Sequence, residues 1–338
     1  MNERLVLADH VPLDKPLIIR ISPCCVCNFQ CEYCTQSIPE MRLAYLKMGT
    51  KGMLDYQLFK RIIDEISNAF GFVKKIVLVG MGEPLLNPQI SEMVAYISEK
   101  QAAAHTEIIT NGVYLSHEMS KRLIDAKLSC LRISVNGLSD ADYLKHCGVS
   151  VNFAQYVDQI RYFYESRGQT QLYIKIMNYM VEKPEKKGLF FKLFGPISDI
   201  TNVEYLRRVD ENIDVEAIAG NPEMLNYTQL GTEKIQTSIC PDPYYTLQFD
   251  ESGRVLPCCQ KLYNMNGIVL GNIKDSSLHD IWIQKSYMFQ RQMLDGVQGI
   301  PVCKDCLGVQ THVYPEDVLD SSRDDLIKKY DAILKETV

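Results

Sequence analysis

The sequence predicts an α/β protein in which six β/α units build a parallel sheet and a small α+β unit follows. Apolar, β-branched runs alternate with segments of helical periodicity between residues 17 and 208, the pattern of parallel strands covered by helices. After Asp214 the alternation fades, and Gly220, Asn221 and Pro222 mark a linker ahead of a hairpin-like pair of strands. With 338 residues the chain exceeds the usual single-domain length, so two unequal domains are expected, at 1–214 and 215–338.

In chain order, residues 17–22 read as the first strand and 55–70 as a helix. Asp55 is placed to cap that helix, and Leu58, Phe59, Ile62, Ile63 and Ile66 fall on one face. Strand 75–80 leads into helix 88–100, strand 107–110 into helix 116–126, and strand 130–135 into helix 151–167. Residues 171–180 form a further strand before a weaker helix at 185–194, and 203–208 is the sixth strand, carrying Arg207. Beyond the linker, strands 244–249 and 254–257 flank the turn Asp250-Glu251-Ser252-Gly253. A helix at 278–294 and an amphipathic terminal helix at 316–334 complete the expected order.

A net charge of −6 argues against a general nucleic-acid binder, because affinity for phosphate backbones needs an excess of Lys and Arg. No stretch approaches the roughly 20 apolar residues that cross a bilayer, so no membrane partner is expected. The early acidic residues lack the apolar core of a signal peptide, which places the protein in the cytoplasm.

Cysteine is the informative residue type. There are 12, and they cluster; in a reducing compartment that points to metal sites before disulfides. Cys27, Cys31 and Cys34 form a C-x-x-x-C-x-x-C triplet directly after the first strand. Three thiolates can hold three irons of a cubane cluster and leave the fourth open to an exogenous ligand. Zinc is the alternative, but structural zinc is closed by four ligands and no fourth stands nearby. Cys240, Cys258, Cys303 and Cys306 make a second, discontinuous set that can ligate a cluster completely, or a zinc ion. Cys24, Cys25, Cys130, Cys147 and Cys259 are left over.

The triplet resembles the signature of radical S-adenosylmethionine (radical SAM) enzymes, with Tyr33 at the aromatic position that in this family lies against the adenine. Gly80-Met81-Gly82-Glu83-Pro84 is similar to the family's GGEP segment. The resemblance gives Gly82 and Glu83 the ammonium of the cofactor's methionine part. Asn111 in Thr110-Asn111-Gly112 is a candidate for a ribose hydroxyl. Ser134 and Asn136 are similar to the family's polar pair at the ribose or carboxylate, and Arg207 is a further neighbour of the adenine. The motifs after the first four strands all fall at carboxyl ends, where β/α barrels gather active-site residues; with the resemblance this favours a partial (βα)6 TIM-like barrel over an open sheet. The hairpin, Cys258-Cys259, Gly271-Asn272-Ile273 and Ile281-Trp282 together resemble the SPASM/twitch appendage, and four ligands match the shorter twitch type with one auxiliary cluster.

The resemblance implies three cofactors: a SAM-cleaving 4Fe-4S cluster, a second auxiliary 4Fe-4S cluster and S-adenosyl-L-methionine, with a flavodoxin- or ferredoxin-type reductant as partner. The cysteine layout resembles the cyclitol dehydrogenase group of the butirosin pathway, which implies hydrogen abstraction from a carbohydrate-like substrate and its oxidation. Epimerisation is the variant outcome, with Cys259 as the catalytic thiol that returns a hydrogen. Maturation of a ribosomal peptide is a further reading, although about 16 residues before the first strand leave no room for an N-terminal peptide-recognition domain. A zinc-stapled binding protein is the reading from a different class.

Overall fold

Among the described residues, nine strands form a single sheet in the order β6-β5-β4-β3-β2-β1-β7-β8-β9. This computed structural model describes residues 4–258, 268–304, 306, 308–309 and 313–336. The parallel strands are β1 (Ile18–Ile21), β2 (Lys75–Leu78), β3 (Thr106–Thr110), β4 (Cys130–Val135), β5 (Gln171–Met177) and β6 (Ile200–Glu204). The helices between them are α1 (Pro39–Tyr45), α2 (Tyr56–Phe70), α3 (Ile90–Lys100), α4 (His117–Asp125), α5 (Asp140–Cys147), α6 (Phe153–Ser166) and α7 (Pro184–Phe194). Strand residues such as Ile19, Ile76, Ile108, Leu131 and Ile174 pack with Ile62, Met93, Leu123 and Ile160 of the helices in one buried core. That apolar layer is what holds a parallel sheet under its helices.

Local chemistry sets the boundaries. Asp55 accepts hydrogen bonds from Gln57 N at 2.9 Å and Leu58 N at 3.1 Å, which satisfies two orphan donors of α2. Gly71 ends that helix at φ +69°, a conformation glycine adopts without steric cost. The helix α5 is not expected from hydrophobic spacing; Ser139 Oγ caps it through Asp142 N, and Gly148 ends it at φ +67°. The sixth strand lies three residues earlier than its apolar run indicates. Leu206 N turns away to Asn178 Oδ1 at 2.9 Å, so Arg207 follows the strand rather than standing on it.

After α8 (Val215–Ala219) and the short α9 (Asp242–Tyr245), β7 (Thr246–Phe249) does not stay with its hairpin partner alone. It runs parallel beside β1, with Arg20 opposite Gln248, so the hairpin extends the barrel sheet. The strands β8 (Arg254–Leu256) and β9 (Gly271–Asn272) continue it in antiparallel fashion. The expected helix at 278–294 is α10 (Leu278–Asp280), a π-helical stretch (Ile281–Ser286) and α11 (Tyr287–Met293). The terminal helix, α12 (Arg323–Glu336), starts seven residues later than the periodicity indicates. Asp317 is held by Arg4, and the Asp320 carboxylate accepts from Ser238 N at 2.8 Å, which fixes the preceding segment in 3-10 turns.

Candidate active site

The loop that leaves β1 carries Cys27, Cys31 and Cys34, and three elements pin it. Gln30 N donates to Cys147 O at 2.9 Å and Glu32 N to His146 O at 3.0 Å, both at the end of α5. Arg42 of α1 donates to Cys27 O at 3.2 Å and Phe29 O at 3.3 Å. Within the loop, Cys34 N closes a turn onto Cys31 O at 2.8 Å. Burial raises the Cys27 thiol, with the nearby Glu83 carboxylate adding to it and the neighbouring Cys31 and Cys34 contributing further. The hydrogen bond with Cys147 and then burial raise Cys31, and burial pushes Cys34 up to about 11. Metal-free, these groups are thiols. Three thiols on one short, pinned loop at the carboxyl end of a barrel strand fit three irons of a cubane cluster, each iron displacing a proton.

The loop after β2 lies against this one. Gly82 N donates to Cys24 O at 3.2 Å and Glu83 N to Val26 O at 2.9 Å, and a Cβ at Gly82 would fall on both carbonyl oxygens. Only glycine permits that approach. The Glu83 carboxylate is buried and accepts from Leu85 N at 2.9 Å, Thr110 Oγ1 at 2.5 Å and Asn111 N at 2.7 Å. Burial nevertheless raises it to about 7. Asn111 Nδ2 donates to Asn28 Oδ1 at 2.8 Å, beside Cys27. Tyr33 Oη donates to Asn136 Oδ1 at 2.7 Å, and Asn136 Nδ2 donates to Ser134 O at 3.2 Å.

The ends of the first four strands thus meet around the cysteine loop, with Tyr33, Gly82, Glu83, Asn111 and Asn136 joined to it or to each other. Ser134 pairs in register with Lys175 and joins that group through its backbone carbonyl, which accepts from Asn136. Arg207 stands near Lys175, whose pKa its charge helps to lower after burial.

Cys240, Cys258 and the Cys303 and Cys306 pair, which sequence separates into three places, line one small cavity with Asp242, Phe289 and Met293. Burial raises Cys240, and the charges of Cys258 and Cys306 add to it. Four thiols around one apolar cavity fit a fully ligated cluster. Cys259 lies outside the described residues. Cys24 and Cys25 are buried, with Cys25 Sγ donating to Tyr45 O at 2.9 Å. Sequence reasoning left Cys147 unassigned, yet its Sγ lies 3.6 Å from that of Cys31. The signal available was the Ser139 and Gly148 pair that bounds α5. His105, Glu107 and Cys130 also lie close together, but Lys75 and Arg132 already neutralise Glu107 at 2.7 and 3.0 Å. Among the described residues, no helix is long and apolar enough to cross a membrane.

Residues 21–183 match the Radical SAM superfamily, and residues 240–307 match the SPASM iron-sulfur cluster-binding domain. The chain is 25% identical to the tungsten-containing aldehyde ferredoxin oxidoreductase cofactor-modifying protein of Pyrococcus furiosus, over 83% of this chain and 84% of that protein. Its fold is similar to that of BtrN in complex with AdoMet and 2-DOIA, with a TM-score of 0.55 at 18% identity, covering 93% of this chain and 99% of BtrN. It is equally similar to anSMEcpe with bound AdoMet and Cp18Cys peptide, with a TM-score of 0.56 at 17% identity, covering 94% and 99%. The cofactors are S-adenosylmethionine, the 4Fe-4S cluster that cleaves it, and auxiliary iron-sulfur ligation in the SPASM region. An α/β partial barrel, a three-cysteine loop at its first strand and a cysteine-lined cavity in the C-terminal region make this chain a radical SAM enzyme with a SPASM domain.

Proposed function

We propose that this enzyme abstracts hydrogen from a carbohydrate- or cyclitol-like substrate and oxidises or epimerises it, receiving electrons from a flavodoxin- or ferredoxin-type reductant. In this reading residues 1–214 form the catalytic barrel and 215–338 the auxiliary unit. The observation that carries it is the pair of cysteine sites: three cysteines on the loop after β1, which would hold three irons of a cubane cluster, and four around a second cavity, which would ligate a cluster completely. When bound, the first cluster and SAM supply a 5′-deoxyadenosyl radical.

The chain's own residues orient and exclude. Cys27, Cys31 and Cys34 hold the first cluster, and Cys240, Cys258, Cys303 and Cys306 hold the second. Gly82 and Glu83 take the cofactor's ammonium: the buried carboxylate loses its desolvation penalty when a cation docks on it. Tyr33, already held by Asn136, flanks the adenine, with Arg207 further along the same wall. Asn111, Ser134 and Asn136 supply hydrogen bonds to ribose or carboxylate oxygens. The second cluster, when bound, would supply an acceptor for the electron that a substrate radical gives up together with a proton on becoming a carbonyl. Return of a hydrogen from Cys259 instead gives the epimer.

BtrN, whose solved structure holds a small molecule, supports the cyclitol-like reading through fold alone. The peptide held by anSMEcpe supports a second reading, modification of a peptide. Anaerobic turnover with ring-deuterated cyclitols and sugars, and separately with deuterated peptides, discriminates them by mass spectrometry of 5′-deoxyadenosine. Deuterium arriving from a cyclitol or sugar is the expected result; deuterium arriving from peptides alone would overturn the carbohydrate reading.

A further inference from the structure

The hairpin turn between β7 and β8 reaches the carboxyl end of β1. Asp250 closes that turn, its carboxylate accepting from Ser252 N at 2.9 Å and Arg254 N at 3.0 Å. Glu251, the next residue, is 1% exposed, although turn positions normally lie on the surface. Its carboxylate accepts a hydrogen bond from Ser22 Oγ. Ser22 is the first residue after β1 and is buried, with its N–H donating to Phe249 O at 3.0 Å. One backbone bond and one side-chain bond therefore tie the hairpin to the start of the cysteine loop.

Ser22 also meets the loop after β2. A Cβ at Gly80 would fall on the Ser22 hydroxyl, so the Gly80 backbone passes directly against the group that Glu251 holds. Gly80 opens the segment whose Gly82 and Glu83 amides bond to Cys24 O and Val26 O of the cysteine loop. Gln36 ties the same two loops once more, its Nε2 donating to Cys25 O and Met81 O at 2.8 Å each. Glu251 lies beside Cys25 as well, whose thiol burial raises and the carboxylate's charge raises further. A Cβ at Gly49 would stand 2.9 Å from that of Glu251, so this side chain is enclosed from the α1–α2 loop too. Burying an acid is unfavourable unless it is hydrogen-bonded, and an apolar side chain would fill the same space without that cost. What the carboxylate adds here is a fixed position for one hydroxyl.

We infer that Glu251 is a positioning residue for S-adenosylmethionine: by holding Ser22 against Gly80 it sets the spacing between the cysteine loop and the Gly80–Glu83 segment. This rests on the reading that Gly82 and Glu83 meet the cofactor's ammonium, and it adds that a side chain from the C-terminal hairpin controls how well they do so. Glu251 acts through Ser22 and the Gly80 backbone and does not itself touch the cofactor. Its loss therefore weakens cofactor binding and leaves the rate of the fully loaded enzyme in place.

The test uses reconstituted, dithionite-reduced holoenzyme and two readouts: kcat and KM for SAM in 5′-deoxyadenosine formation, and the SAM concentration that half-shifts the cluster's paramagnetic resonance signal. Ser22→Ala and Glu251→Ala are each expected to raise both SAM concentrations about tenfold, the worth of one charge-assisted bond, with kcat within about twofold of wild type. The double variant is expected to be no worse than either single one, because both remove the same bond. Glu251→Gln, which keeps an acceptor oxygen for Ser22 and loses the charge, is expected to fall between. Ser252→Ala, whose hydroxyl bonds Asp250 within the turn, is the control for a loosened hairpin and is expected to leave the KM unchanged. A wild-type KM in Ser22→Ala and Glu251→Ala, an equal rise in Ser252→Ala, or a kcat that falls in step with iron content overturns the inference. Should Glu251→Ala not fold, Ser22→Ala, the smaller change, decides alone. Wild type that forms 5′-deoxyadenosine beside variants of unchanged KM sinks this inference only, whereas wild type that never forms it sinks the radical reading.

Discussion

Cys147 Sγ lies 3.6 Å from Cys31 Sγ, the middle cysteine of the triplet, and both side chains are buried. The backbone holds them there, since Gln30 N bonds Cys147 O at 2.9 Å. A disulfide needs the sulfurs only about 1.5 Å closer. We predict that the metal-free protein in air forms a Cys31–Cys147 disulfide that blocks cluster assembly, and that thiol reductant reverses it. Peptide mass mapping of the air-exposed protein checks the bond. Cys147→Ala should then reload iron after air exposure without reductant, and failure of that variant to differ from wild type removes the claim.

Glu83 gives a pH dependence with a definite sign. Its folded-state pKa is raised by burial from 4.5 to about 7, so between these values the folded chain holds a proton that the unfolded chain has released. Stability of the metal-free protein therefore falls as pH rises through that window, by on the order of 3 kcal/mol from this group if fully expressed. Glu251, raised by burial to about 7, adds in the same direction. Denaturant titrations at pH 5 and pH 8 should show a smaller difference in Glu83→Gln than in wild type; an equal difference contradicts the assignment. The same variant should bind SAM at least tenfold more weakly at pH 8, where the carboxylate meets the cofactor's ammonium.

Removing one side of a buried ion pair is costly, and the pair Lys175–Glu204 at 2.6 Å is buried on both sides. Glu204→Ala strands the lysine and is expected to cost about 3–5 kcal/mol, read as a lower denaturation midpoint. A loss under about 1 kcal/mol would show that water reaches this part of the interior.

The two cysteine sites should separate by mutation. Cys303→Ser with Cys306→Ser removes two of the four sulfurs around the second cavity. Iron content should fall by about four per chain while 5′-deoxyadenosine formation survives and substrate oxidation stops. Simultaneous loss of both activities would mean that the second site supports the first structurally.

Much of this was readable from residue order because it is local. Cys27, Cys31 and Cys34 share one loop, and Asp55 with the Phe59, Ile62 and Ile66 spacing defines α2 without reference to the rest of the chain. Convergence of the four later cysteines on one cavity was legible from their type and number, since four thiols with no disulfide partner suit one shared site. The partnership of Cys31 with Cys147 was not, because it depends on how α5 docks. The parallel seat of β7 beside β1 was hidden for a related reason: a hairpin signal names a strand's antiparallel neighbour and says nothing of its other edge. The charged interior had a faint trace in the sequence. Arg20, Glu107, Arg132 and Lys175 each interrupt a strand that helices on both faces would have kept apolar.

Two separately ligated clusters are expected, and only the one on the β1 loop is expected to meet SAM. Electron paramagnetic resonance of the reduced, reconstituted protein with and without SAM tests this expectation most directly, in wild type and in the Cys27, Cys31 and Cys34 to Ala triple variant. Two overlapping cluster signals in wild type, one of them shifted by SAM, and a single SAM-insensitive signal in the variant are predicted. A SAM-sensitive signal that persists in the triple variant, or a wild-type protein that takes up zinc and shows no signal after reconstitution, would contradict it.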